Sequence, residues 1–355
     1  MTLAEAPTPV YPSRRLIGPE VEIDAGAAAF HEPELPSGWS MKSDGSLRNG
    51  KEFVLEPPQP LGEALPSIDL FSAAVTKAKM HVAASGGFHV HVQVADYAPD
   101  DAYRLCQLYH HFQRIIDLTV GASRRSSING GNGYHHCATL SGRDLADLAT
   151  FKAVWHLDRP ASDRQEAKGS RLKVVVNCAM MRTRDPLQRT VEFRQPSTSK
   201  HTANIYGWIC MATALVDAAK LAPTVAKFLA RAATLTNYLR LMRHVERHVG
   251  AAHLADWVIW RIRYLTAVPG TRQQAKLLGC LAQKQHGLFH VARVLNVNLA
   301  VAKKMVDTAL AGGGIVEISP GKYRAGYASM AEPDLKSIVE LWTALETPAQ
   351  IQAVA

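Results

Sequence analysis

The chain has 355 residues, more than the roughly 250–300 that usually share one hydrophobic core, so its length predicts two domains. Hydrophobic residues make up 47% of the sequence and charged residues 20%, which excludes a disordered or fibrous protein and is typical of a globular one. No apolar run approaches the roughly 18–20 residues of a membrane span, and the first residues lack the order of a signal peptide. We therefore expect a cytoplasmic protein that has no membrane partner.

The net charge of +9 is concentrated in the last third of the chain. Residues 223–355 hold 16 Lys and Arg against 8 Asp and Glu, whereas residues 1–222 hold 24 against 23. A basic segment joined to a nearly neutral one predicts different partners for the two parts, and nucleic acid is the commonest polyanion. The five cysteines form no CxxC pair, which argues against a disulfide framework and against structural zinc.

Short strand-like runs and turn signals alternate in the first hundred residues. RLIGPEVEI (15–23) and KEFVLE (51–56) predict strands, and the segment at 36–50 between them predicts a loop. Apolar residues then recur with helical spacing over 68–85, and FHVHVQV (88–94) alternates as a strand. This part of the chain is therefore expected to contribute three strands and one helix.

The middle of the chain continues this alternation. Residues 100–120 and 143–155 have helical spacing, 174–180 and 190–196 predict strands, and a long helix is expected over 204–219. Strands separated both by helices and by hairpin-like loops favour an α+β domain with a largely antiparallel sheet over a doubly wound sheet. The sequence also contains no GxxxxGK[ST] phosphate loop, which would have favoured the doubly wound alternative.

The basic last third predicts two further units. Residues 223–267 have a helical pattern, and the order of helices, turns and a β-hairpin over 272–328 is that of a winged helix. Four basic residues of this unit would meet DNA phosphates or base edges: Lys303, Lys304, Lys322 and Arg324. The sequence leaves open whether the unit binds double-stranded DNA or only protein. The predicted division of the chain is 1–222, 223–267 and 268–355.

Three pairs of polar residues stand two positions apart on the predicted strands: Glu20 and Glu22, His89 and His91, and Glu192 and Arg194. Residues i and i+2 of a strand point to one side of its sheet, so these pairs predict one polar sheet face. Asp44, in an Asp-Gly turn, and Glu52, on a strand, add acids from neighbouring segments. Such a set of carboxylates favours a nucleotide–metal site, because Mg²⁺ prefers oxygen ligands and usually shares its shell with phosphates.

Several of these residues have a simpler interpretation when each is taken alone. Glu20 and Glu22 fit a solvated edge strand, and Asp44 fits a turn. Glu192 and Arg194 fit a structural salt bridge as well as they fit a site. Two histidines on one face of an apolar strand need partners, which favours a ligand or phosphate contact for at least one of them.

Two arginines precede a glycine-rich segment. Arg124 and Arg125, close to NGGNGY at 129–134, fit an anion-binding lid and a flexible surface loop equally well. An arginine offers a planar fork that suits carboxylate or phosphate, so both kinds of ligand are open to this segment.

Six motifs resemble, in their order, those of the amidoligase family, whose relatives include glutamate–cysteine ligase and glutamine synthetase: GPEVEI, SDGSL, GKEFVLEPP, GGFHVHV, SRR with NGY, and TVEFR. The resemblance covers roughly residues 14–220. It implies an antiparallel-sheet funnel of glutamine synthetase-like type with helices on one face. It also implies ATP with two or more Mg²⁺ ions and the formation of an amide or isopeptide bond.

The resemblance implies roles for individual residues. The metal-site positions of the family match Glu20, Glu22, Asp44, Glu52, His89 or His91, and Glu192. Its phosphate-contacting arginine matches Arg194, its loop arginines match Arg124 and Arg125, and these three with Glu192 are the implied catalytic residues. His89 and His91, together with Arg194, are the implied contacts to ATP. The segment 129–133 looks longer than in the family, and the basic unit lies outside the family's core.

The sequence as a whole predicts an ATP- and Mg²⁺-dependent carboxylate–amine ligase, joined to a winged helix, that works through an acyl phosphate. Its acid and amine substrates are expected to be small molecules or peptides. The alternative is a non-catalytic DNA-binding or scaffolding protein whose amidoligase-like domain only binds a ligand. A complete set of acids favours the enzyme, since a decayed site has no physical reason to keep buried acids.

Overall fold

The structure is a computed structural model. It describes residues 6–25, 30–45, 47, 49–80, 82, 86–121, 124, 137–162, 166, 174–267, 286–287, 315–319 and 322–325. Its centre is a seven-stranded sheet whose main path runs in the order β2–β3–β1–β5–β7–β6, with the short β4 paired to β1. The strands are β1 (Leu16–Asp24), β2 (Trp39–Lys42), β3 (Gly50–Leu55), β4 (Gln59–Pro60), β5 (Phe88–Gln93), β6 (Val176–Asn177) and β7 (Thr190–Phe193).

Every pairing between these strands is antiparallel. The helices of the described chain are α1 (Leu61–Lys77), α2 (Pro99–Ile116), α3 (Leu148–Val154), α4 (Thr202–Ala219), α5 (Ala222–Leu229), α6 (Leu235–Val249) and α7 (Leu254–Ala267). The predicted α+β architecture with a largely antiparallel sheet is therefore confirmed.

The two faces of the sheet differ because apolar and polar residues alternate along its strands. Ile17, Val21 and Ile23 of β1 and Val90 and Val92 of β5 are fully buried. They belong to one hydrophobic core with buried residues of α1, α2 and α4. Alternation with period two sends the polar residues between them to the opposite face. The helices thus cover the apolar face, and the polar face is left for a site.

Helices α4 and α7 pack closely at one glycine. A Cβ added at Gly207 would lie 2.1 Å from ring atoms of Trp257, so the indole occupies the space that a side chain would need. The Trp257 Nε1–H also donates a hydrogen bond to the carbonyl oxygen of Ala203 at 2.8 Å. Helices α5, α6 and α7 therefore share the core of the sheet domain. The predicted division of the chain at residue 222 stays a prediction.

Helix termini follow local sequence signals. Helix α6 begins after Thr234, whose hydroxyl accepts a hydrogen bond from the Asn237 N–H at 3.2 Å. It ends at Val249 and is followed by Gly250, whose φ of +72° is the left-handed conformation that glycine adopts without a Cβ penalty. Among the described residues no single helix is both long and apolar enough to cross a bilayer; α4 and α5 pass that test only as a pair bent by 103°.

Three sequence predictions of secondary structure are corrected by the structure. The segment 36–50 was expected to be a loop, but it contains the edge strand β2. The helix expected over 68–85 begins at Leu61 and ends at Lys77. The strand expected over 174–180 is only Val176–Asn177, followed by a short 3₁₀ turn.

The basic C-terminal unit is described only in part. Strands β9 (Ile315–Ser319) and β10 (Lys322–Ala325) pair antiparallel, as the predicted hairpin requires, and β8 (His286–Gly287) pairs with β10. The predicted helices, with Lys303 and Lys304, lie outside the described residues. Lys322 and Arg324 lie on β10. The winged helix and its DNA contacts therefore stay predictions.

Candidate active site

The strand register brings the polar residues of separate strands side by side. Glu20 of β1 pairs with His89 of β5, and Glu22 pairs with Glu52 of β3. On the other side of β5, His91 pairs with Glu192 of β7. Side chains of directly opposed residues point to the same face. Residues that are up to 172 positions apart in sequence thus form one cluster on the polar face, as the spacing of the motifs predicted.

His89 occupies the centre of this cluster. Its Nδ1 lies 3.5 Å from Glu20 Oε2 and 3.6 Å from Glu192 Oε1, and its Nε2 lies 3.6 Å from Glu22 Oε1. The side chain is buried, and Nδ1 has no hydrogen-bond partner among the described residues. A buried ring nitrogen that faces two carboxylates and makes no hydrogen bond is in position to act, together with them, as a ligand of a cation.

His91 lies nearer the edge of the cluster. Its Nε2 is 3.3 Å from Glu20 Oε1 and 3.9 Å from Glu192 Oε1. Its Nδ1 is 3.3 Å from the hydroxyl of Thr190. The ring is half-buried, in contrast to that of His89. The two histidines therefore share the same acids, but only His89 is enclosed by them.

The acids of the cluster titrate differently because their neighbours differ. Burial raises the pKa of Glu52 from its ordinary 4.5 to about 7, and the negative charges of Glu20, Asp44 and Glu22 add to this. Burial also opposes ionisation of Glu20, but His91 and then His89 outweigh it and hold the pKa of Glu20 well below its usual value. Glu52 is thus the acid that most lacks compensating positive charge.

The pKa of His89 is shifted upward by the same acids. Burial acts to lower it, but Glu20 first, and then Glu192 and Glu22, raise it above its usual value. The cluster therefore favours positive charge at its centre, whether a proton on the imidazole or a metal ion supplies it.

A glycine holds the Glu22 carboxylate in place. The backbone N–H of Gly87 donates to Glu22 Oε2 at 2.6 Å. A Cβ on Gly87 would lie 2.7 Å from that oxygen and 3.0 Å from Nη2 of Arg124. The carboxylate and the buried Arg124 guanidinium therefore crowd the bare Cα of Gly87, a close approach that only glycine permits.

Two groups hold the carboxylate of Glu192 at the other end of the cluster. Nη1 of Arg194 donates to its Oε1, and Nδ2 of Asn177 donates to its Oε2 at 2.9 Å. All three side chains are buried. Glu192 is therefore fixed by charge-assisted hydrogen bonds from opposite sides, which is the geometry of a positioned ligand as well as of a salt bridge.

A buried polar network anchors Arg124 from behind. The Gln195 amide donates to the carbonyl oxygen of Arg124 at 3.1 Å and to the carboxylate of Asp117. Gln113 donates to the same carboxylate at 2.9 Å, and the Tyr109 hydroxyl donates to Gln195. The network fixes the backbone of Arg124 next to Glu22, although Arg124 itself lies on no strand of the sheet.

The sequence interpretation missed Asn177, Gly87 and this network. Asn177 had a signal, because an amide in the otherwise apolar run VVVNCAM has to find a partner if the run is buried. The network had no such signal, since Gln195, which follows β7, reaches Gln113 and Asp117 at the end of α2 only after these distant parts of the chain have packed together.

The remaining predicted site residues fall into two groups. Asp44 is half-buried and close enough to Glu52 for its charge to raise the pKa of that carboxyl. Arg125 lies outside the described residues, as does the glycine-rich segment that follows it. The structure therefore brings together Glu20, Glu22, Glu52, His89, His91, Glu192, Arg194 and Arg124, with Asp44 at the side of Glu52.

The cluster contains two sets of donors that fit a metal ion. Glu20, His89 and Glu192 form one set and Glu22, Glu52 and His89 the other, and within each set the ligand atoms lie within 4.8 Å of one another. Donors that share an octahedral ion at about 2.1 Å lie about 3 Å apart. The 3.5–3.6 Å separations around His89 would need only a small contraction. The carboxylates, which outnumber the imidazole in each set, suit Mg²⁺ or Mn²⁺.

Comparison with protein families identifies a match. Residues 36–216, half of the chain, match the family described as "Putative amidoligase enzyme". The matched range includes β2, β3, β5, β6 and β7 and begins after β1. No curated protein matches the chain.

Proposed function

The chain belongs to the amidoligase family, and on that basis we propose that it is an ATP- and Mg²⁺-dependent carboxylate–amine ligase. It joins an acid to an amine, each a small molecule or a peptide, through an amide or isopeptide bond. The observation that carries this proposal is the convergence of Glu20, Glu22, Glu52 and Glu192 around the buried His89. A sheet has no structural need to place four acids on one face, since like charges repel.

The acids and His89 are the residues that would hold the metal. Glu20 and Glu192 would bind one ion and Glu22 and Glu52 a second, and the neutral His89 imidazole, which has one lone pair, would complete only one of these two sets. Bound Mg²⁺ would neutralise charge on the phosphates of ATP and orient the γ-phosphoryl group. The unbound Nδ1 of His89 and the uncompensated charge around Glu52 support this assignment. The acid-lined face also supports a funnel of glutamine synthetase-like type.

The two arginines supply the positive charge that phosphoryl and acyl transfer require. In the first step an oxygen of the substrate carboxylate attacks the γ-phosphorus, the bond to the β–γ bridging oxygen breaks, and ADP leaves. Arg194, tied to Glu192, and Arg124, beside Glu22, would bind the transferring phosphoryl group.

In the second step an amine attacks the carbonyl carbon of the acyl phosphate, loses a proton, and displaces inorganic phosphate. Arg194 would stabilise the tetrahedral oxyanion and the departing phosphate. The buried Gln195–Asp117 network would keep Arg124 in the orientation that both steps need. Because the reaction consumes ATP, we place it in the cytoplasm.

We further propose that the basic C-terminal unit is a winged helix that binds double-stranded DNA and brings the ligase to it. The excess of basic residues over 223–355 and the hairpin of β9 and β10 support this. Lys303, Lys304, Lys322 and Arg324 would contact the duplex. Retention of duplex DNA by the full chain should therefore weaken steeply as salt is added.

The deciding experiment incubates the full chain with ATP, Mg²⁺ and pools of amino acids, polyamines and DNA, and then measures nucleotide products and mass shifts. ADP together with a product lighter by one water than its two substrates is the expected result. Release of AMP would instead indicate that the intermediate is an acyl adenylate and not an acyl phosphate.

Glu20→Gln should abolish ADP release while the fold is retained, and Glu63→Gln, an exposed acid on α1, should not change it. Release of ADP at the wild-type rate by Glu20→Gln would refute the assigned site. Failure to release any nucleotide product with every pool would favour the non-catalytic alternative.

A further inference from the structure

An exposed ion pair stands at the rim of the polar face, beside the acid cluster. Lys42 of β2 donates from Nζ to Glu56, which follows β3, and the hydroxyl of Ser40 donates to the other carboxylate oxygen of Glu56 at 3.0 Å. The side chains of Lys42 and Glu56 are 44% and 47% exposed. Exposed ion pairs add little to stability. The pair therefore calls for an explanation other than holding the sheet together.

The partner that the strand register offers to Lys42 is Glu52. The two residues are directly opposed between β2 and β3, and opposed residues have Cβ atoms only about 5 Å apart on one face. Opposite charges in that position normally attract each other. Here the ammonium is bonded instead to Glu56, four residues further along the chain, beyond the Ser40–Val54 pair.

The diversion of Lys42 matters because Glu52 belongs to the second set of metal donors. An ammonium on the Glu52 carboxylate would neutralise it and occupy the oxygen that a divalent cation needs. The surroundings of Glu52 are acidic, since Glu22 opposes it directly on β1 and Glu20 lies one pair further along the same face. That environment would attract a free lysine as well as a metal ion.

We propose that Glu56 and Ser40 are positioning residues that hold the Lys42 ammonium at the rim and so keep the Glu52 carboxylate available to a divalent cation. The inference rests on the proposed function, because it assumes that Glu52 is a metal ligand. It also gives the edge strand β2 a role in that function, because the Lys42 ammonium, which would compete with the metal ion, is held away from Glu52. Glu56 thereby affects metal binding without belonging to either set of donors.

The test measures Mn²⁺ binding to the full chain by the EPR signal of the free ion, so that it does not depend on turnover. Glu56→Gln removes the carboxylate that holds Lys42 and should weaken Mn²⁺ binding by about tenfold. Adding Lys42→Met to Glu56→Gln should restore the wild-type affinity within about twofold. Glu56→Asp should bind Mn²⁺ nearly as well as the wild type, because it keeps the charge that Lys42 needs.

A matched control separates this effect from a general change in charge. Glu34 and Lys77 form another exposed pair, with Glu34 Oε2 3.6 Å from Lys77 Nζ. Glu34→Gln should leave Mn²⁺ binding unchanged. A long-range field would be screened by about 0.5 M KCl, whereas an ammonium placed on Glu52 would compete at that salt concentration as well.

Three outcomes would overturn the inference while leaving the proposed function intact. Glu56→Gln could leave Mn²⁺ binding unchanged, it could weaken binding equally with and without Lys42→Met, or its effect could vanish in high salt. Wild-type protein that binds no Mn²⁺ would overturn the proposed function and this inference together.

Discussion

The two ends of the acid cluster are built in opposite ways. At one end Glu192 is buried and accepts hydrogen bonds from Arg194 and Asn177. At the other end Glu52 faces Glu20, Glu22 and Asp44, and its pKa is raised to about 7. One carboxylate is compensated by the protein itself, and the other has mainly acidic neighbours. A binding site for a metal and a nucleotide needs both, a fixed ligand and an unsatisfied charge.

The comparison predicts that removing the compensated acid, Glu192, destabilises the folded protein. Glu192→Gln should lower the free energy of unfolding by about 3 kcal/mol, because the buried Arg194 loses its carboxylate. Relief of repulsion with Glu20 offsets part of the loss, which places the value at the low end for a buried ion pair. Denaturant unfolding in EDTA measures it. Glu63→Gln is the control, and equal stability of the two variants would contradict this account of the Glu192 end.

Between the two ends lies Gly87, and its substitution should have the next largest effect. Gly87→Ala would force a Cβ to within 2.7 Å of Glu22 Oε2 and 3.0 Å of Arg124 Nη2. We expect a loss of about 1–3 kcal/mol of stability, as for overpacked cores, together with weaker Mn²⁺ binding. Gly45→Ala is the matched control, since a Cβ there meets no atom within 4 Å. Indistinguishable melting curves for Gly87→Ala and the control would show that Glu22 and Arg124 can move aside.

Removing the uncompensated acid, Glu52, should raise the stability of the metal-free protein. Glu52→Gln eliminates a carboxyl that is costly to ionise, so in EDTA at pH 8 it should stabilise the protein by up to about 1 kcal/mol after solvent screening. Since the folded-state pKa of Glu52 is raised from 4.5 to about 7, its stabilising contribution is complete below about 4.5 and lost as the pH rises through 7.

The advantage of Glu52→Gln should therefore grow between pH 5 and pH 8 in thermal melts of the metal-free protein. Added Mg²⁺ should reverse the order, because the wild type gains a bound ion and the variant does not. A variant that is less stable than the wild type at pH 8 in EDTA would show that Glu52 is compensated after all.

The strands that carry the centre of the cluster and its Glu192 end could be predicted from sequence. In β1, β5 and β7 a polar residue stands at every second position and apolar residues lie between, a pattern with period two that few other structures share. The pattern also predicted that Glu20, Glu22, His89, His91 and Glu192 share one face. It could not predict which residues oppose each other, because register depends on all the strands at once.

The edge strand β2 and the position of Arg124 depend on tertiary contacts. Residues 39–42 form a strand because Trp39 stacks on Phe71 at 4.0 Å between ring centroids and donates to the backbone oxygen of Ser67. Apolar and polar residues do alternate over Trp39–Lys42, but these four positions lie among turn-forming residues, and so short an alternation does not by itself indicate a strand. Arg124 reaches Glu22 because Gln195 and Asp117 hold its backbone. Those residues lie on three separate parts of the chain, so no local pattern could place the arginine at the site.

The smallest expected effect separates the two histidines. Thr190→Val removes the hydroxyl 3.3 Å from Nδ1 of His91, and it should cost about 0.5–1 kcal/mol, the net value of one neutral hydrogen bond. Because that contact orients the His91 ring towards Glu20 and Glu192, the variant should lower the affinity for ATP more than that for Mn²⁺. His89 has no such outer contact, and carboxylates surround both of its nitrogens. Equal losses of ATP and Mn²⁺ binding in Thr190→Val would instead make His91 a metal ligand on the same footing as His89.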